Sequence, residues 1–213
     1  MNFWNELELS LSTLKEFAYT AKRNTFANDQ IKKASMCDNT SVYSYRDFKN
    51  PVNKSLIYCD KYNGNSVEMG YETISYDLVN IWRNQYCGGI CQDFFNPVPY
   101  DERQGMFEGV PSVHDLSIVT VMLRMALMEP PKDFPVRGPE YLETDAIDYK
   151  GFHIAGKWVY DNKWMPLTNA GEKDPFISYH GIERILYNDK IVFWHAYQGG
   201  MIFDKHFPIK LVD

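Results

Sequence analysis

Two stretches of the chain carry apolar residues at helical spacing, and much of the remainder alternates or clusters them as strands do. Leu11, Leu14, Phe17, Ala18 and Ala21 share one helical face, and Ser10 or Ser12 stands where an N-cap belongs. This spacing predicts a first helix over residues 10–27, with Lys22 and Arg23 in its last turn, where cations suit the helix dipole. Leu116, Val119, Met122, Leu123 and Ala126 form a second, wider apolar face. They predict a helix over 112–128, capped by Ser112 with Asp115 three residues on and stopped by Pro130-Pro131.

Strand patterns occupy 43–48 and 56–62, the second closed by the turn chemistry of Asn63-Gly64-Asn65. Two more are expected over 147–154 and 157–164, joined at Ala155-Gly156, unless the second breaks at Asp161-Asn162. Residues 176–179 lead into a further hairpin, and 203–212 read as an edge strand interrupted at Pro208. Residues 28–40 are polar and read as a loop. Pro97, Pro99, Gly105, Gly109 and Pro111 mark 91–111 as a long irregular connection. Residues 134–139 read as extended.

One of these patterns occurs twice. The stretch 181–201, GIERILYNDKIVFWHAYQGGM, lies without a gap on 70–90, GYETISYDLVNIWRNQYCGGI. Seven of the 21 paired positions are identical, among them Glu72/Glu183, Ile74/Ile185, Tyr86/Tyr197 and the double glycines. Similarity at a fixed offset marks a repeated unit. Each copy reads as a β-hairpin ending in Gly-Gly, which suits a bulge, a positive-φ turn or close backbone approach. A three-residue loop, Asn188-Asp189-Lys190, places Tyr187 opposite Ile191, Ile185 opposite Phe193 and Glu183 opposite His195. A two-residue loop would place Ile185 opposite Val192 and flip the second strand. The longer loop is preferred, because its register in the first copy pairs Ile74 with Trp82 and Glu72 with Asn84. Both copies then share one face. The expected fold is α+β: an antiparallel sheet built from two repeated hairpin units, about 70–90 and 181–201, with two principal helices packed on it. Residues 1–213 form a single domain with an internal pseudo-twofold repeat.

Composition narrows the function classes. At 213 residues, 45% hydrophobic and 23% charged, the chain is globular in character, and its fifteen Tyr, thirteen Phe and five Trp suit a sheet-rich core. A net charge of −6 without a Lys/Arg run argues against a nucleic-acid surface. No apolar run approaches a membrane span, and the N-terminus has no basic leader, so a cytoplasmic location is expected with no membrane partner. The four cysteines are then free thiols. Cys87 and Cys91 lack companions at metal spacing, so no metal or other cofactor is expected. The partner is an unknown small molecule or protein, and the chain could form oligomers.

The shared hairpin face is mostly apolar, so a Glu on it needs a partner or a raised pKa. Glu72 and Glu183 are either structural carboxylates bonded within their own halves or matched ligand contacts in one cleft. In the second case the ligand-binding set is Glu72, Trp82, Tyr86, Arg137, Glu183, His195 and Tyr197, with Arg137 as a counter-charge or simply a surface ion pair. No catalytic residue is assigned. The five histidines fall in no metal-binding or nucleophile-elbow pattern. An alternative is a hydrolase using Glu72 and Glu183 as an acid/base pair. A further alternative is a stoichiometric inhibitor or immunity-type protein, which an acidic surface also suits.

The run Tyr58-x-Asp60-x-Tyr62-x-Gly64, then Gly70-x-Glu72, Trp82 and Tyr86-x-Gly88, resembles a bacterial family of domains of unknown function. Arg137-Gly138-Pro139, Gly181-x-Glu183 and Tyr197-x-Gly199-Gly200 fit the same pattern, so the resemblance spans roughly 12–202. In that family the domain stands alone or behind an XRE-type helix-turn-helix module, which implies a sensing or partner-binding role. No such module is evident in this chain, and 28–40 and 91–111 are longer than the pattern leads one to expect.

Overall fold

The computed structural model describes residues 7–28, 31, 34–35, 40–49, 55–64, 67–91, 116–149, 152–167, 174–202 and 209–212. Along the chain these form β1 (Leu7–Ser10), α1 (Leu11–Arg23), β2 (Ala34–Ser35), β3 (Ser41–Tyr45), β4 (Leu56–Gly64), β5 (Val67–Tyr76) and β6 (Val79–Ile90). They continue as α2 (Leu116–Leu127), β7 (Tyr141–Tyr149), β8 (Phe152–Pro166), β9 (Ser178–Tyr187), β10 (Lys190–Met201) and β11 (Ile209–Val212). One antiparallel sheet of nine strands runs in the order β2-β3-β4-β5-β6-β10-β9-β8-β7. With two helices, the fold is α+β.

Several boundaries differ from expectation. The C-terminal strand is not an edge of the main sheet: β11 pairs in parallel with β1, Leu9 facing Leu211, as a separate two-stranded sheet. Ala155-Gly156 makes no turn. It lies inside β8, where the pairing with β7 shifts between Thr144 and Ala146, and Gly156 (φ +137°) supplies backbone for that irregularity. The β7–β8 connection falls at 150–151, outside the described residues. The polar loop contains the short strand β2. The capping box at Ser112 and the connection at 92–111 also lie outside the described residues.

Both long hairpins turn on two residues. Asn188 (φ 47°) and Asp189 (φ 64°) close β9–β10, with Tyr187 paired to Lys190, not to Ile191. The pairing then shifts between Ile191 and Phe193, leaving Val192 as a bulge, so Ile185 faces Phe193 and Glu183 faces His195. In β5–β6, Asp77 (φ 44°) and Leu78 (φ 70°) make the turn and Ile81 is the bulged residue. Ile74 then faces Trp82, and Glu72 faces Asn84. A short turn plus one bulged residue thus gives the register of a longer loop. The bulge also turns neighbouring side chains the same way: Ile81-Trp82 and Val192-Phe193 are all buried.

The helices pack on one face of this sheet. Ser10 Oγ accepts from Thr13 N at 3.3 Å and starts α1, which buries Leu14, Phe17, Ala18 and Ala21 against Leu56, Tyr58, Ile74 and Trp82. Helix α2 buries Val119, Met122, Leu123 and Ala126 against Ile147, Trp158, Ile185 and Phe193. Each fully buried large side chain contributes about 1.5–3 kcal/mol. Each helix therefore covers its own end of the sheet, and β6 and β10 join the ends in the middle. No helix among the described residues is long and apolar enough to cross a membrane. Cys59, Cys87 and Cys91 are not joined in disulfides.

Candidate functional site

At the β6–β10 junction Tyr86 faces Tyr197. Between their rings lies the Arg137 guanidinium, 4.6 Å from the Tyr86 centroid and 5.5 Å from that of Tyr197. Residues 134–139 make turns rather than extended chain, and the Gly138 amide donates to the Tyr160 hydroxyl at 3.1 Å. A Cβ at Gly138 would come within 2.9 Å of both Ala126 and Tyr160, so this close approach requires glycine. The turn carries Arg137 into the interior, where only 3% of it is exposed, and a surface ion pair is excluded.

Two carboxylates flank the guanidinium. Glu183 Oε1 stands 3.5 Å from Nε, and Glu72 Oε1 stands 3.8 Å from Nη1. Each carboxylate is already bonded elsewhere. Glu72 accepts from Lys22 Nζ at 2.5 Å and Asn84 Nδ2 at 3.1 Å. Glu183 accepts from Tyr160 OH at 2.6 Å and pairs with His195 Nδ1 at 2.9 Å. His195 Nε2 lies 3.0 Å from Glu68 Oε1 but out of line for a hydrogen bond. The Nε and Nη2 of Arg137 have no hydrogen-bond partner. Tyr86 OH donates to Asp60 Oδ1 at 2.8 Å, and Tyr197 OH donates to Asn162 Oδ1 at 2.7 Å.

The electrostatics follow from these contacts. Burial pushes Glu183 upward, but the Arg137 charge and the His195 and Tyr160 donors outweigh it and hold the carboxyl at about 2. Burial likewise opposes ionisation of Glu72, and Lys22 and Arg137 overcome it, leaving its pKa below the usual carboxylate range. Asp60 goes the other way. Burial and the facing Glu72 carboxylate raise it to about 7, and the Tyr86 hydroxyl, Lys22 and Arg137 offset this only in part. Burial lowers Lys22, with Glu72 partly compensating. Burial also disfavours the His195 cation, but the Glu183 and Glu68 carboxylates prevail and raise its pKa.

Beside this cluster, between α1, α2 and the sheet, lies a recess of about 20 Å³. Lys22, Tyr58, Asp60, Glu68, Arg137 and His195 are in its wall. Its size admits a group of one or a few heavy atoms. Glu72 also lines it, whereas Glu183 stands behind Arg137 and His195 and does not, so the two carboxylates share a network rather than an open cleft. A broader, open depression of about 950 Å³ lies on the opposite face of the sheet, over Tyr71, Gln85, Ile182 and Gln198. It is larger, but among the described residues Lys61 is the only Lys, Arg, Asp or Glu in its lining, and the charged side chains gather at the smaller recess.

Of the seven residues singled out from the sequence, six converge here: Glu72, Tyr86, Arg137, Glu183, His195 and Tyr197. Trp82 lies apart, stacked on Phe176 at 5.3 Å. Sequence reasoning missed Lys22, Asp60, Asn84, Tyr160 and Asn162. Lys22 sits four residues after Ala18 on the buried helix face, and Asp60 alternates inward with Leu56 and Tyr58, so both positions carried a signal. No group of three or more His, Cys, Asp or Glu among the described residues could hold a metal ion. No family model matches the chain, and no curated protein or solved structure matches it either.

Proposed function

We propose that this chain is a ligand-sensing domain built from two copies of one unit, a helix with four strands (α1 with β3–β6, α2 with β7–β10), the short β2 being extra to the first copy, and that its ligand enters the recess beside Arg137. The observation that carries this reading is the Arg137 side chain. It is buried, it lines the recess, and two of its nitrogens make no hydrogen bond, although Nε lies 3.5 Å from Glu183 Oε1 as an ion pair. Structural arginines in an interior normally have their donors satisfied.

The two-copy reading rests on position. Tyr86 faces Tyr197, its counterpart 111 residues on, so a rotation exchanging the halves leaves that pair in place. Arg137 sits by this pair, taking one Tyr and one Glu from each half. The likeness extends to β4 and β8: Asp60 faces Glu72 as Asn162 faces Glu183, and Tyr58 faces Ile74 as Tyr160 faces Ile185. The halves diverge at three places around the recess. Asp60 answers to Asn162, Asn84 to His195, and Lys22 binds Glu72 where Tyr160 binds Glu183. Divergence within an otherwise matched core suits a ligand taken from one side.

The hydrolase reading has less support. Glu72 and Glu183 are both held ionised, and neither can act as a general acid near neutrality. A sensing or partner-binding role is also what the sequence resemblance implies. The test is a screen of small polar molecules by thermal shift, followed by NMR of labelled tyrosine and histidine rings. A ligand of this site moves the Tyr58 and His195 resonances, which belong to the recess and not to the open depression. If binders move only residues of the open face, such as Tyr71 and His180, the proposed site is wrong.

A further inference from the structure

Taking the recess as the ligand site, we propose that it receives a small monovalent anion of one to three heavy atoms, bound together with one proton on Asp60. The volume sets the size: about 20 Å³ takes a halide, nitrite or formate but not a sulfate. Arg137 sets the charge of the ligand. Its Nε and Nη2 make no hydrogen bond: Glu183 Oε1 faces Nε only as an ion pair at 3.5 Å, and the nearby carboxylate oxygens are already bonded to Lys22, Asn84, Tyr160 and His195. An anion oxygen or halide is the acceptor that such a guanidinium lacks.

Asp60 sets the condition. The groups around it are Lys22 from α1, Tyr58 from its own strand, Glu68 and Glu72 from β5, Tyr86 from β6, His195 from β10 and Arg137. Lys22 and Arg137 answer Glu72 and Glu183, and His195 stands against Glu68, so an ionised Asp60 adds an uncompensated negative charge to the wall. Ionised, it repels an anion. Protonated, it is neutral and adds an O–H donor, and anion and proton enter as a neutral pair. The other half shows the geometry of a neutral group at this place, since Asn162 accepts from Tyr197 as Asp60 accepts from Tyr86.

The test titrates the full chain with formate, nitrite and chloride at constant ionic strength, sulfate replacing the probe. Melting temperature and calorimetric binding are measured at about pH 6 and about pH 8, in buffers of differing ionisation enthalpy. Saturable binding is expected, weakening about tenfold per pH unit above neutrality, with close to one proton taken up at the higher pH and almost none at the lower. Asp60→Asn should bind with no pH dependence over that range, and Arg137→Lys should lose binding; should the latter fail to fold, the Asp60 variant decides. Saturable binding with no proton uptake at the higher pH, or pH dependence surviving in Asp60→Asn, overturns the proposal. Binding of neutral formamide alone, with Tyr58 and His195 resonances moving, overturns the anion but keeps the ligand site. Binding of none of these probes overturns both.

Discussion

Asp60 and Asn162 each accept a hydrogen bond from a tyrosine hydroxyl, but only Asp60 can become charged there. A carboxyl whose folded pKa is raised leaves stability untouched below its unfolded value. The penalty grows as pH rises from there and is complete once pH passes the folded value, about 7 for Asp60. From the usual value of about 4, that shift corresponds to roughly 4 kcal/mol. Asp60→Asn is therefore expected to melt higher than the wild type at about pH 8 and at nearly the same temperature at about pH 4. Equal melting at both would show that Asp60 ionises freely. Glu183 has the opposite sign. Its contribution is present above its unfolded value and is lost as pH falls towards about 2. Glu183→Gln leaves Arg137 and His195 short of a counter-charge and should cost about 3–5 kcal/mol in denaturant unfolding at neutral pH. A loss below about 1 kcal/mol would mean that the cluster is solvated or repacks. Both glutamates were legible in the sequence as acids on an apolar face, and Arg137 as a cation worth watching. Lys22 was not, because a lysine in a last helical turn reads equally well as a solvated partner of the dipole.

The hairpins show what a sequence pattern leaves open at the scale of an element. The facing of Glu183 with His195 followed from requiring one shared face. The bulge that achieves it did not, since Ile191-Val192-Phe193 reads as an unbroken apolar run. Ala155-Gly156 looked like a turn for the related reason that a glycine offers positive φ to a turn or to a bulge alike. Leu78 makes the turn geometry testable. It holds φ 70° with its side chain 81% exposed, so it bears backbone strain with little packing in return. Leu78→Gly should stabilise the protein by about 1 kcal/mol, read as a shift in denaturant midpoint at constant slope. Destabilisation would imply that Leu78 is covered by another part of the chain.

At the scale of the whole molecule, the two ends of the sheet meet over a shared charge. A helix and its strands cover each end, and Arg137 binds the ends together through Glu72 and Tyr86 on one side and Glu183 and Tyr197 on the other. The tyrosines leave no slack. A Cβ on Gly70 would meet the Tyr86 ring at 2.6 Å, and one on Gly181 would meet the Tyr197 ring at 2.4 Å. Gly70→Ala and Gly181→Ala should each destabilise by about 1–3 kcal/mol, and either one should perturb the NMR signals of both tyrosines through Arg137. A change confined to one half would separate the halves energetically. The antiparallel sheet and its two helices were legible from periodicity. The pairing of β1 with β11 was not, because four-residue strands at opposite ends of the chain carry no periodic signal. The most direct measurement is a carbon-13 NMR titration of the Asp and Glu side-chain carboxyls in the intact chain, with and without formate. Asp60 is expected to titrate at about 7 and to move higher with formate, while Glu183 stays ionised down to about 2. An Asp60 midpoint near the ordinary value of about 4, unmoved by formate, would contradict this.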